Sequence, residues 1–226
     1  WCARVQAALE LFDVVRIDHF RGLEASWEVD IHETTAINGR WVKAPGAQLL
    51  AKLQECFNPL PLVAEDLGLI TPEVIALKEQ FELPGMSVLQ FGFNGLPDNP
   101  HAPHELVKRS VVYTGTHDND TTMGWFDSLH PGTRDWMLSQ VVSEAGEMPW
   151  PLIATALESV AERVIIPMQD WLGLGTEHRM NTPGTVENNW LWRFTWPQVP
   201  AELAGRIHFW VQKTERLAPK PQDTAC

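Results

Sequence analysis

Apolar residues recur along this chain in two alternating rhythms. Short apolar, β-branched runs at 14–17, 62–64, 86–93, 110–114 and 163–168 read as strands. Between them, apolar positions fall on one helical face: Val5, Ala8, Leu9 and Phe12 over 2–12, and Leu49, Leu50, Leu53 and Phe57 over 47–57. The same spacing predicts helices over 132–145 (Trp136, Val141, Val142, Ala145), over 152–162, and over about 201–217 (Leu203, Ile207, Trp210, Val211, Leu217). Thr71-Pro72-Glu73 marks a further helix start: Thr can cap, Pro suits the first turn, and an acid suits the positive end. Pro167 suggests the end of the last strand. Residues 20–47 and 173–200 keep neither rhythm and are predicted as long loops, the first of them at a working mouth.

Strands alternating with helices predict a parallel sheet with helices outside, an α/β fold. Five strands are visible, whereas a complete (β/α)8 TIM barrel has eight. The pattern therefore predicts a partial barrel, approximately strands four to eight with their helices, over 1–217. A Pro- and Lys-containing tail follows at 218–226. The chain opens on Trp1 rather than Met, which predicts an N-terminal portion upstream.

Composition narrows the partners. A net charge of −12 over 226 residues argues against nucleic acid and against an anionic membrane surface. No stretch reads as a membrane span or a signal peptide. Cys2, Cys56 and Cys226 are odd in number, far apart and without metal or redox spacing, which predicts reduced thiols in a cytoplasmic protein. Eleven Trp against one Tyr supply core packing, and also flat platforms on which sugar rings stack. No Gly-rich phosphate loop, nucleophile elbow or HExxH motif is present, so neither a cofactor nor a metal is expected.

Three of the strand-like runs lead into acids: Asp18 after Val15-Arg16-Ile17, Glu65 after Leu62-Val63-Ala64, and Asp118 in Thr116-His117-Asp118-Asn119-Asp120. Residues two apart on a strand share a face, so Arg16 and Asp18 point one way and Val15 and Ile17 the other; if Val15 and Ile17 lie under the outer helices, Arg16 and Asp18 point into the barrel. A guanidinium beside a carboxylate holds it ionised, the state a nucleophile needs; a plain structural ion pair accounts for the same residues. An apolar surround would keep Glu65 protonated as a general acid, and a carboxylate satisfied by a backbone amide at the strand end is the alternative. Asp66 points to the opposite face. The cluster at 117–120 reads as a turn with a helix cap, as a hard-metal site of carboxylate and amide oxygens lacking the calcium-loop spacing, or as a grip on sugar hydroxyls by Asp118 with His117. Asn181 and Trp190, in a Gly- and Pro-rich stretch, carry no chemistry readable from first principles. Two facing carboxylates with a third in support are the equipment for breaking a glycosidic bond.

Taken together these segments resemble the 4-α-glucanotransferase (amylomaltase, disproportionating enzyme) family of the α-amylase clan. The resemblance rests on Arg16-Ile17-Asp18-His19-Phe20-Arg21-Gly22, Gly39-Arg40-Trp41-Val42-Lys43-Ala44-Pro45-Gly46, Ala64-Glu65-Asp66-Leu67-Gly68, Val88-Leu89-Gln90-Phe91, Tyr113 to Thr121, Pro167-Met168-Gln169-Asp170 and Arg179-Met180-Asn181. It departs at Asn94, where an acid is common, and at Ser87, where a basic residue is common. The resemblance implies a barrel enzyme whose N-terminal half is absent here, with an α-1,4-glucan or maltooligosaccharide as donor and acceptor. It implies Asp18 as nucleophile, Glu65 as acid/base and Asp118 as transition-state stabiliser, with Arg16, His19, Phe91, His117 and Asn181 around the sugar. A hydrolase of the same clan and a glucan-binding module without catalysis remain the alternatives.

Overall fold

A computed structural model describes residues 1–218, so the predicted tail lies, Ala218 apart, outside the described residues. In chain order the elements are α1 (Cys2–Leu9), β1 (Val15–Ile17), β2 (Ala25–Val29), β3 (Gly39–Lys43), α2 (Gly46–Cys56), β4 (Leu62–Ala64), α3 (Pro72–Gln80), β5 (Gly85–Val88), β6 (Ser110–Tyr113), α4 (Thr122–Ser128), α5 (Pro131–Gln140), α6 (Trp150–Glu158), β7 (Arg163–Ile165), α7 (Met168–Trp171) and α8 (Leu203–Lys213). Strands β1 and β4 pair in parallel, β2 and β3 pair antiparallel, and a three-stranded sheet has the order β5-β6-β7. The chain divides into two compact units, one of residues 1–87 with 109–111, the other of 88–108 with residues from 112 on. Among the described residues no helix is long and apolar enough to cross a membrane.

In the first unit the register of β1 on β4 is Val15 to Leu62, Arg16 to Val63 and Ile17 to Ala64. The pleat sends Val15, Ile17, Leu62 and Ala64 to one face. There they pack with Phe20, with Val5 of α1, with Leu50 and Leu53 of α2, and with Val74 and Leu77 of α3. Fully burying each Leu contributes roughly 1.5–3 kcal/mol, so this face sets the register, and a slip of one residue would turn Arg16 into the core. Helix α3 begins as predicted, with Thr71 at the N-cap and Pro72 in the first turn, although the Thr71 side chain makes no capping bond.

The predicted loop at 20–47 is instead a 3-10 turn, Phe20–Leu23, followed by the β2–β3 hairpin. Most hairpin side chains face solvent, so the strands carry no apolar alternation to betray them. Their link, residues 30–38, is longer than the two-residue turns that announce a hairpin. Trp27 sits opposite Trp41, their ring centroids 5.4 Å apart, and Arg21 lies over the Trp41 ring.

In the second unit α6 is buried at every position from Trp150 to Leu157, as befits a helix apolar all round. Leu152 and Ala156 join one apolar cluster with Leu89, Val112 and Met137; Trp150, Ile153 and Leu157 join another with Leu203 and Trp210. The helix predicted over 132–145 stops at Gln140, and a separate 3-10 turn follows at Ser143–Ala145. The strand predicted over 86–93 ends at Val88; the chain then winds into a 3-10 turn, Leu89–Gly92. Its apolar run suits a strand and a tight turn alike, because Leu89 and Phe93 are core residues in either conformation. Helix α4, which the periodicity missed, is short and capped by the Thr121 side chain accepting from the Gly124 amide.

Asp170 knots this unit together. Its buried carboxylate accepts from the Thr114 hydroxyl (2.6 Å), the Thr122 hydroxyl (2.8 Å) and the Thr122 amide (2.7 Å). Burial pushes the carboxyl above the ordinary aspartate value, against the opposing pull of those bonds. A raised value means the folded chain binds the proton more readily than the unfolded one. Its stabilising contribution is complete below the ordinary value and fades as pH rises through the raised one. Asp170→Ala strands three donors and is expected to cost on the order of 3 kcal/mol in urea unfolding. Asp170→Asn should retain most of the stability at neutral pH and lack the loss that accompanies ionisation of Asp170 as pH rises; an Ala variant as stable as the parent would remove Asp170 from this role.

Candidate active site

The first unit gathers Arg16, Asp18, His19 and Glu65. The strand register places Asp18 and Glu65 one step beyond the last pair, Ile17 and Ala64, and on the face away from the core. Past the strands the pairing turns irregular: the Glu65 amide donates to the Ile17 carbonyl (2.9 Å), but the Phe20 amide, one residue further on than a ladder would use, donates to the Glu65 carbonyl (3.0 Å). The Asp18 side chain is 78% exposed, and Arg16 Nη2 lies 3.1 Å from its Oδ1. An ion pair this open adds at most about 1 kcal/mol to stability, so its effect is to orient and charge-balance the carboxylate. Arg16 Nη1 also approaches Met86 Sδ at 3.7 Å.

Glu65 corrects one expectation. Its carboxyl is not left to apolar neighbours, because Oε2 accepts from the His19 amide (2.7 Å) and Oε1 from the Leu67 amide (3.0 Å). The amide-satisfied carboxylate allowed by the strand-end position is the arrangement observed. His19 reaches Glu65 from a left-handed backbone, φ 48° and ψ 54°, which few non-glycine residues adopt. Asp66, on the opposite face as expected, is bound to Lys78 Nζ (2.6 Å) and the Met86 amide (2.8 Å). A Cβ at Gly85 would fall 2.4 Å from Asp66 Oδ2, so the strand can pass only as glycine.

The second unit gathers His117, Asp118 and Asn181. Asp118 Oδ1 accepts from Asn181 Nδ2 at 2.6 Å, and Oδ2 lies 3.4 Å from His117 Nε2. The two segments are also joined through the backbone, the Asn181 amide donating to the His117 carbonyl at 3.1 Å. A cavity of about 260 Å³ opens beside them, lined by His117, Asp120, Gln169, Arg179, Met180 and Trp190 among others. Asn119 closes the turn, accepting from the Thr116 amide and hydroxyl. Asp120 accepts from the Thr176 hydroxyl and the Thr121 amide. Protein donors thus meet the carboxylates of Asp118 and Asp120, and among the described residues no group of three or more His, Cys, Asp or Glu is placed to hold a metal. Phe91 projects from the Leu89–Gly92 turn, 45% exposed and 5.6 Å from the His101 ring, and does not line this cavity.

Two residues gain importance that the sequence withheld. Trp190, whose chemistry is not readable from the sequence, is half exposed, lines the cavity and sets its ring 5.1 Å from that of His117. Its φ of 64° is a strained value for a bulky residue. Arg179 lines the same cavity and contacts the backbone of both Asp118 and Asn181. A strained tryptophan has no sequence signature, and contacts across some sixty positions leave no local pattern.

Comparison with known proteins adds the following. A family model described as 4-alpha-glucanotransferase matches residues 1–198. A 4-alpha-glucanotransferase of Thermus thermophilus is 48% identical over 96% of this chain and 45% of its own length. The chloroplastic/amyloplastic 4-alpha-glucanotransferase of Solanum tuberosum is 47% identical over 85% of this chain and 34% of its own. Among solved structures, an amylomaltase from Streptococcus agalactiae in complex with acarbose superposes with a TM-score of 0.88 at 30% identity, over 96% of this chain and 44% of that one. An amylomaltase from Corynebacterium glutamicum, 17% identical with a TM-score of 0.69, shares the fold. The chain spans less than half the length of each of these relatives.

Proposed function

This chain belongs to the 4-alpha-glucanotransferase family, and from that premise we propose that it carries the reacting carboxylates of a retaining enzyme that moves α-1,4-glucan segments between maltodextrins. On this reading β1, β4, β5, β6 and β7 are strands four to eight of a (β/α)8 barrel whose catalytic half-domain spans 1–217. The enzyme works in the cytoplasm with its thiols reduced, and needs no cofactor.

The observation that carries the reading is the register of β1 on β4, which ends at Ile17 and Ala64, the residues immediately before Asp18 and Glu65. Neighbouring strands lie about 4.8 Å apart. That spacing suits two carboxyls about 5–5.5 Å apart, as retaining enzymes require, better than the wider gap of inverting ones. Asp18 attacks the anomeric carbon; as the C1–Oδ bond forms, the glycosidic C1–O bond breaks and Glu65 gives its proton to the departing 4-oxygen. The 4-hydroxyl of an incoming glucan then passes its proton to the Glu65 carboxylate and displaces Asp18. The amide bonds from His19 and Leu67 occupy one acceptor site on each Glu65 oxygen, and a carboxylate has about four, so room remains for the travelling proton. Arg16 orients the nucleophile, and His19 with Phe91 contacts the sugar. Asp118, held by Asn181 and flanked by His117, binds ring hydroxyls more tightly as charge develops. Incubation of the full chain with maltotriose tests the activity: glucose together with longer chains is the expected product, and shorter sugars alone would mean hydrolysis.

Trp190 gives this reading a separate check. A strained, half-exposed aromatic at a cavity wall is a stacking platform kept at the expense of backbone comfort. Trp190→Asn, which tolerates a left-handed backbone, is expected to leave thermal stability unchanged or raised while weakening maltoheptaose binding roughly tenfold, ~1.4 kcal/mol. Unchanged affinity by calorimetry would show that the ring packs for structure alone.

A further inference from the structure

We propose that Arg179 is a positioning residue that locks Asp118 and Asn181 into their 2.6 Å contact, with Asp120 as its anchor; the inference rests on the transferase reading above. Neither partner stands on a regular element: Asp118 lies five residues past the end of β6, and Asn181 lies in the stretch between α7 and α8. A side-chain contact between two such segments holds a fixed geometry only if something ties their backbones. Arg179 does so with separate nitrogens. Nη2 donates to the Asp118 carbonyl at 2.9 Å, Nε donates to the Asn181 carbonyl at 3.3 Å, and Nη1 lies 3.9 Å from Asp120 Oδ2. One planar guanidinium thus fixes both members of the pair and the residue two positions on.

The anchor is itself held. Asp120 Oδ2 accepts from the Thr176 hydroxyl at 3.0 Å, Oδ1 accepts from the Thr121 amide at 2.8 Å, and its carbonyl accepts from Gln90 Nε2 at 2.9 Å. Packing behind it is tight: a Cβ on Gly124 would come 2.5 Å from Asp120 Oδ1 and 2.1 Å from Thr176 Oγ1. Both Arg179 and Asp120 are more than three-quarters buried in their side chains, whereas Asp118 is half exposed. The shielded pair therefore supports the open, sugar-facing one. Lysine would keep the charge toward Asp120 but lose the fork that reaches two carbonyls at once.

The test is a double-mutant cycle on the full chain, read as acarbose affinity by calorimetry, because binding stays measurable where turnover is lost. Arg179→Met and Asp118→Asn are each expected to weaken acarbose roughly tenfold, and the double variant to bind no worse than Asp118→Asn alone. Arg179→Lys should fall between parent and Met variant, and with maltotriose should lower kcat while leaving KM within about twofold. Equal affinity of Arg179→Met and parent, or fully additive losses, overturns the positioning role and leaves the transferase reading standing. A parent chain that neither binds acarbose nor turns over maltotriose overturns the reading itself, and this inference with it.

Discussion

Asp18→Asn is expected to lower glucan transfer by the full chain roughly 10⁴-fold or more, the scale on which a lost nucleophile acts. The amide keeps the size of the side chain and still offers an oxygen to Arg16, but it cannot form the glycosyl ester. Because the Asp18–Arg16 pair is open to solvent, unfolding free energy should change by less than about 1 kcal/mol. The two measurements together separate chemistry from folding. Transfer from maltotriose at a near-parental rate would remove Asp18 from the reaction, while a large stability loss would recast the pair as a structural bridge.

The second large effect concerns Glu65. With maltotriose as donor, Glu65→Gln should reduce the rate about 10²–10⁴-fold, the usual contribution of a positioned acid. With an α-maltosyl fluoride, whose leaving group needs no proton, the first step should proceed within about tenfold of the parent. Azide, an acceptor that needs no base, should then yield the α-configured maltosyl azide. Equal loss on both donors contradicts the acid role. The same substitution has a structural price: one of the amide bonds from His19 and Leu67 must face an NH₂ group instead of an oxygen, a loss of about 1 kcal/mol.

What the sequence disclosed, it disclosed through alternation. Val15 and Ile17 against Arg16 and Asp18 is a two-residue period, and the observed core contains Val15 and Ile17 as that period requires. Leu62 and Ala64 join the same core, which turns Glu65 to the other face. The β2–β3 hairpin escaped because most of its side chains face solvent, leaving nothing periodic to read. The turn at Leu89–Gly92 escaped for the opposite reason, since buried residues look alike in a strand and in a tight helical turn. The amide partners of Glu65 and the grip of Arg179 on Asp118, 61 positions away, are tertiary facts. Local sequence encodes the residues that take part in them, not their meeting.

The hydrogen bonds just beyond β1 and β4 have a mechanical meaning. Glu65 is fastened through its own amide, its own carbonyl and its own carboxyl to three positions, Ile17, Phe20 and His19, which bracket Asp18. Pulling Glu65 away from this bend means breaking backbone hydrogen bonds, not swinging a flap. On the proposed reading, the reacting pair is set as the chain folds, before any sugar arrives. On that same reading, selectivity among long and short glucans falls to the walls that receive them, and those walls can diversify without disturbing the chemistry beneath.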